Sequence, residues 1–421
     1  MLSKLTDSTI PKFHEKTRDE KLKVLESFSD LSEEDIKILK SEGGISFDQA
    51  NNMVENAIGI MSYPLGIATN FKINGKDYLI PMVIEEPSVI AAASKAAKIA
   101  RKHGGFTMEA DNSYSIGQIQ VVEVDVKFGT SKIMEKSEEI IILANSKSKT
   151  LSKMGKGAKT ISCKEVITES GPMLVVEILI DVGDAMGANV TNTMCESVAS
   201  LIEKITGGRV ILKILSNYST KRLVKGNAIF DKEELGGEDI VNNIIWAYEF
   251  AANDPYRAVT HNKGIMNGII AVANSTGQDT RAIEAAAHAY ASRHGKYTSL
   301  TKWKKNNDGN LVGEIEVPMS VGIVGGIINI HPMIKTCVKI LGVKSARELS
   351  CIMGAAGLAQ NLSALRALSS EGIQKGHMKL HAQNIAVSAG VPPEKISYVI
   401  AEMTREGNIS VTRAKEILEN L

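Results

Sequence analysis

An excess of charge of either sign is missing from this chain. Its 49 Lys and Arg against 48 Asp and Glu leave a net +1, which excludes the broad basic surface of a nucleic-acid protein. The longest basic cluster, Lys302 to Lys305 around Trp303, reads as a solvated turn. Cysteine is scarce: Cys163, Cys195, Cys337 and Cys351 show no C-x-x-C spacing. That argues against a structural zinc site or redox dithiol, and unpaired thiols fit a reducing cytoplasm. No apolar run approaches the ~20 residues of a membrane span; Val321 to Ile330 is about half that. The opening MLSKLTDSTIPKFHEK is polar, so no secretory signal is expected. G-x-G-x-x-G is also absent, which leaves a Rossmann domain unsupported.

What is present suffices for two or three domains: 421 residues, 43% of them hydrophobic. Ser32, followed by Glu33 and Glu34, reads as a helix N-cap. Phe47 to Gly59 reads as an amphipathic helix. Asn74-Gly75 between two apolar runs predicts a tight hairpin. Pro87 opens an Ala-rich helix closed by Gly104-Gly105. From 113 to 217 the pattern runs β-α-β-β-α-β, the ferredoxin-like order, with SKIMEKSEEIIILANSKSKTLSKM as one helix. The expected class is α+β. Residues 1–112 and 218–375 form a large, mostly helical domain, 113–217 an inserted domain, and 376–421 a helical appendage. That appendage is read equally well as a mobile lid or as a fixed cap.

Several residues carry chemistry, each beside a plainer role. Glu85 and Glu86 sit at a strand-to-helix junction, suited to a general acid in a cleft or to the helix dipole. Lys263, in THNKGIMNG, suits oxyanion binding or a surface position. Asp279, in NSTGQDTRA, suits helix capping, catalysis or both. His377 and His381 share a helical face, but no third ligand is evident and no metal is expected; His377 better suits proton donation. In DVGDAMGANVTNTM, Asp184 is a candidate N-cap, and Met186, Gly187, Ala188 and Asn189 form a small-residue turn able to hold a pyrophosphate. Gly325 and Gly326, in VGIVGG, mark a second Gly-rich turn that close packing explains as well.

Taken in order, ENAIGIMSYPLGIATNFKINGKDYLIPMVIEEPSVIAAAS, DAMGANVTNTM, NKGIMNG, GQDTRAIEA, VGIVGG and GHMKLHAQNIA closely resemble the 3-hydroxy-3-methylglutaryl-CoA reductase family. The likeness runs from about Ile10 to the C-terminus. The EEPS motif and lack of an anchor point to the class II branch. The resemblance implies reduction of 3-hydroxy-3-methylglutaryl-CoA to mevalonate and CoA with two nicotinamide hydrides, through mevaldyl-CoA and mevaldehyde. By motif position, Glu86 supplies a proton, Lys263 stabilises the oxyanion, Asp279 couples to both, and His377 protonates the departing CoA thiolate. Ser88, Arg257, Asn267 and Asn217 match positions that hold the hydroxymethylglutaryl group. Asp184 to Asn189 match the cofactor turn of the inserted domain. The resemblance further implies a homodimer with active sites at the interface, and allows larger assemblies of dimers.

Two departures stand out. Where NAD-preferring relatives carry an aspartate, this chain has Ser148 between Lys147 and Lys149. A serine there removes repulsion of a 2′-phosphate, so NADPH is expected, with NADH tolerated; the biosynthetic direction follows, with NAD-linked mevalonate breakdown as the alternative. An N-terminal arginine linked to CoA binding is His14 here, leaving the CoA-phosphate contact open. Rival readings are a CoA-dependent acyltransferase, which needs a nucleophilic cysteine, and a non-enzymatic scaffold, which has no use for all of Glu86, Lys263, Asp279 and His377.

Overall fold

The computed structural model describes residues 5–41, 44–370 and 382–421. Its strands are β1 (Leu65–Ile73), β2 (Lys76–Val83), β3 (Phe106–Ala110), β4 (Tyr114–Val122), β5 (Gly157–Thr168), β6 (Gly171–Asp181), β7 (Arg209–Ser216), β8 (Leu223–Phe230), β9 (Thr301–Lys305) and β10 (Leu311–Pro318). They form a six-stranded sheet in the order β2-β1-β3-β8-β10-β9 and a four-stranded sheet in the order β5-β6-β4-β7. The architecture is α+β, as the sequence pattern requires. Asn74 and Gly75, at φ 51° and 82°, make the turn between β1 and β2, because both central positions of such a turn need positive φ.

Helices Val89–Arg101, Pro255–Ser275 and Ala346–Ser369 cover the six-stranded sheet. The last two cross closely. A Cβ on Gly268 would sit 2.6 Å from the Ala356 carbonyl oxygen, and one on Gly357 would sit 2.8 Å from Ile269 Cγ1. Glycine here serves helix contact, which explains part of the chain's small-residue richness. In the four-stranded sheet every pairing is antiparallel. Its buried face, including Ile119, Val176, Ile178 and Ile180, packs on Met194, Val198 and Ile202 of helix Ala188–Thr206. This is the ferredoxin-like arrangement.

Three local expectations are corrected. The long helix predicted after β4 is divided into Val126–Glu135, Ser137–Asn145 and Lys149–Lys153: Lys136 leaves helical geometry at ψ 14° and Ser148 at ψ 87°. The helix predicted to run to Gly59 stops at Met53, and Ile58 beyond it is fully exposed. Lys302 to Lys305 form most of β9 rather than a turn, with Trp303 only 3% exposed. Alternation explains this: Lys302 and Lys304 face water while Thr301 and Trp303 point inward. Beyond 382, a helix over 382–388, Ile396–Glu406 and Val411–Glu419 share their own small core of Ala386, Val399, Met403 and Ala414.

Candidate active site

Helix Pro255–Ser275 begins at Asp254, whose Oδ1 accepts the Arg257 N–H, with Pro255 at its first position. It carries Arg257, His261, Lys263 and Asn267. Lys263 and Asn267 lie one turn apart on one face, and both reach Glu86. Lys263 Nζ is 2.8 Å from Glu86 Oε2, and Asn267 Nδ2 donates to the same oxygen at 3.3 Å. Glu86 follows β2 and precedes Pro87 and Ser88. Ser88 holds φ 74°, a backbone state that costs a non-glycine residue about 1–3 kcal/mol and gathers at functional sites.

Among the other candidates, Asp279 is held by its own helix. Asp279 caps helix Thr280–Ala291, its Oδ1 accepting from Ala282 N and from Arg281 Nε. Burial works to raise its pKa, but the Ala282 N–H and the Arg281 side chain outweigh this and hold it below the ordinary value. Arg257 lies about 120° round the helix from Lys263. It is partly buried, and that burial lowers its pKa. Asn217 is exposed between β7 and β8. His377 and His381 lie outside the described residues.

Asp184 is not the N-cap expected of it. Gly187, at φ 102°, takes that place without any side-chain cap. The Asp184 carboxylate instead accepts from Ala346 N at 2.9 Å, and its carbonyl accepts from Ile323 N at 2.8 Å. Met186, Ala188 and Asn189 flank Gly187 at the start of helix Ala188–Thr206. A helix start without a side-chain cap, beside a glycine with positive φ, fits a pyrophosphate. Gly325 and Gly326 both have positive φ, and a Cβ on either would meet nothing within 4 Å. Ser148 caps Lys149–Lys153, its Oγ accepting from Leu151 N, with Lys147 and Lys149 exposed on either side.

A cleft of about 1440 Å³ is lined by Glu86 and Ser88. It exceeds the ~300–1,000 Å³ of ordinary small-molecule sites. Cations that the sequence pattern did not single out gather here: Arg18, Lys21, Lys95 and Lys98 line it along with His14. The helical spacing of Ala91, Ser94, Lys95 and Lys98, all in the cleft wall, was the available signal.

One buried histidine braces the site helix. His261 Nε2 lies 2.9 Å from both Thr301 Oγ1 and Ser299 Oγ. Burial, helped by the Arg257 charge, pushes its pKa down to about 3. The unfolded chain takes up this proton near the ordinary 6.5. Stability from His261 is therefore complete above that pH and is lost as pH falls toward 3, at up to about 1.4 kcal/mol per pH unit. His261→Gln should narrow the Tm difference between pH 7.5 and pH 5; an unchanged difference would assign the acid sensitivity elsewhere.

The family model described as hydroxymethylglutaryl-coenzyme A reductase matches residues 17–382. The 3-hydroxy-3-methylglutaryl-coenzyme A reductase of Archaeoglobus fulgidus is 50% identical over 415 residues, 98% of this chain and 95% of that protein. Among solved structures, 3-hydroxy-3-methylglutaryl-coenzyme A reductase from Streptococcus pneumoniae superposes with TM-score 0.83 at 39% identity, covering 97% of this chain and 99% of that one. A class II reductase from the same organism, bound to NADPH in open conformations, gives TM-score 0.81 at 39% identity, covering 96% and 99%.

Proposed function

This chain belongs to the hydroxymethylglutaryl-coenzyme A reductase family, and on that basis we propose that it reduces 3-hydroxy-3-methylglutaryl-CoA to mevalonate and CoA with two NADPH, by way of mevaldyl-CoA and mevaldehyde. The observation that carries this reading is the Glu86–Lys263 pair, with Asn267 on the same carboxylate oxygen, beside a cleft large enough for a CoA thioester.

Bound NADPH supplies the hydride. Negative charge then develops on the substrate carbonyl oxygen, and the Lys263 ammonium is placed to stabilise it, as a preorganised donor. Glu86 supplies the proton that converts the alkoxide to the alcohol, its Oε2 oriented by Asn267. Asp279 tunes this proton, and His377 protonates the departing CoA thiolate. Ser88, Asn267, Asn217 and Arg257 hold the hydroxymethylglutaryl group, with the guanidinium on its free carboxylate. Lys95 and Lys98, which line the cleft, take the CoA phosphates. The test is cofactor oxidation with 3-hydroxy-3-methylglutaryl-CoA, run with NADPH and NADH in parallel. Turnover with NADPH preferred supports the reading, and none with either cofactor overturns it. NADH preference would keep the reaction but favour the oxidative direction.

Cofactor choice rests on Ser148. Aspartate caps helices as well as serine, so Ser148→Asp leaves Lys149–Lys153 formed while adding a charge that repels a 2′-phosphate. The NADH/NADPH ratio of kcat/KM should rise at least about tenfold, the scale of one charge-assisted hydrogen bond. An unmoved ratio would remove Ser148 from the specificity site.

The reading includes a homodimer. Ile58, Met61, Trp246 and Tyr256 are 100%, 79%, 71% and 89% exposed, a cost in water that a partner surface removes. Sedimentation should give twice 45.4 kDa and Trp246→Glu should halve it. A wild-type monomer would refute the dimer.

A further inference from the structure

Arg222 sits just before β8, where the chain passes from the four-stranded sheet back to the six-stranded one. It is 4% exposed. Its Nη1 donates to the Met186 carbonyl at 2.8 Å and lies 3.3 Å from Ser320 Oγ. Its Nη2 donates to the Val321 carbonyl at 2.6 Å. Its own carbonyl accepts from Met319 N at 2.8 Å. Its hydrogen-bond partners are carbonyls and a hydroxyl; burial lowers its pKa to about 10, the charge of Asp181 works the other way, and no carboxylate is hydrogen-bonded to the guanidinium. Such burial is expensive and calls for a compensating purpose.

The surroundings indicate that purpose. Met186 belongs to the turn that opens helix Ala188–Thr206, and the segment on the other side of the guanidinium, Ser320 to Ile323, is pressed against the same turn. A Cβ on Gly322 would lie 2.4 Å from Met186 N. Gln278 holds both backbone groups of Gly322 at 2.9 Å, and Ile323 N donates to the Asp184 carbonyl. The guanidinium thus joins a turn of the small sheet to the frame of the large one, next to a helix start without a side-chain cap.

We propose that Arg222 is a positioning residue for the dinucleotide: it sets the 184–187 turn against the 320–323 segment, so that the amino end of helix Ala188–Thr206 meets the cofactor pyrophosphate in a fixed place and with added positive field. The proposal rests on the reading of that turn as the cofactor site. It separates cofactor from thioester, because the Arg222 side chain is bonded to the turn, the Ser320 hydroxyl and the Val321 carbonyl and not to Glu86, Lys263 or Asn267.

The experiment measures binding of NADPH and of 3-hydroxy-3-methylglutaryl-CoA separately by calorimetry on the full-length protein, with Tm alongside. Arg222→Met should raise the NADPH Kd at least about tenfold, as expected on losing hydrogen bonds from a charged group, with the thioester Kd changed less than about twofold, within the range of a remote site. Arg222→Lys should recover part of the loss. Gly322→Ala moves the turn without touching the arginine and should reproduce the selective effect; it carries the test if Arg222→Met does not fold. Ala188→Glu probes the turn itself, placing a carboxylate where the helix dipole tolerates it but a pyrophosphate does not. If Ala188→Glu weakens NADPH while Arg222→Met and Gly322→Ala do not, Arg222 is not a positioning residue and the turn keeps its role. If Ala188→Glu has no effect, the cofactor reading of the turn fails and the proposal with it. Equal weakening of both ligands, or a lower Tm with unchanged NADPH binding, makes Arg222 merely structural and overturns the proposal.

Discussion

Lys263→Ala is expected to lower kcat/KM about 10²- to 10³-fold, the usual cost of removing one preorganised oxyanion donor. The fold should hardly respond. Lys263 and Glu86 are 61% and 38% exposed at their side chains, and an ion pair so open to water contributes about 0–1 kcal/mol. The signature is therefore a large catalytic loss at nearly constant Tm. Lys263→Arg should recover only part of the rate, because a planar guanidinium cannot occupy the place of a compact ammonium. Steady-state kinetics and a thermal melt decide it. A loss under tenfold would take the oxyanion role from Lys263, and a matching fall in Tm would mark the pair as a structural brace.

Trp303→Ala should give the largest stability loss, about 3–5 kcal/mol for a buried aromatic truncated to a methyl. The indole ring packs with Phe230 at 5.7 Å between centroids. Its Nε1 donates to Asn361 Oδ1 at 2.8 Å, and Thr301 Oγ1 donates to the same oxygen at 2.8 Å. Thr301 in turn meets His261. The network links β9, helix Ala346–Ser369 and the helix that carries Lys263 and Asn267. Trp303→Phe keeps most of the packing and loses the donor, so about 1 kcal/mol is expected. Urea midpoints with unchanged m-values measure both. Should Trp303→Ala move the midpoint no further than Trp303→Phe, the indole would not be part of the core.

The caps at Ser32 and Asp279 were legible because their signals are local. Ser32 with its acidic first turn and Asp279 before Thr280 each form their cap within three residues of chain. Asn74-Gly75 is local too. Where local pattern misleads, the cause is physical. Asp184 looks like an N-cap from its neighbours alone, yet its carboxylate goes to Ala346 N, 162 residues away, because the start of helix Ala346–Ser369 brings a free backbone donor to it. The Lys302–Lys305 run looks solvated by composition, yet alternation buries its indole. The predicted long helix breaks where Lys136 and Ser148 leave helical dihedrals, and continuous apolar periodicity conceals this.

The α+β class, the ferredoxin-like order of the inserted segment, the caps at Ser32 and Asp279 and, through the order of short motifs, the family are all written in the linear chain. These depend on residues near one another, where spacing and backbone preference act directly. Folding in three dimensions was needed to choose which carboxylate meets Lys263 across 177 residues, to bring Lys95 and Lys98 into one cleft with Glu86, and to bury Arg222 behind the 184–187 turn. Such pairings depend on how helices and sheets cross, and crossing is set by close packing of the whole core, which no local pattern encodes.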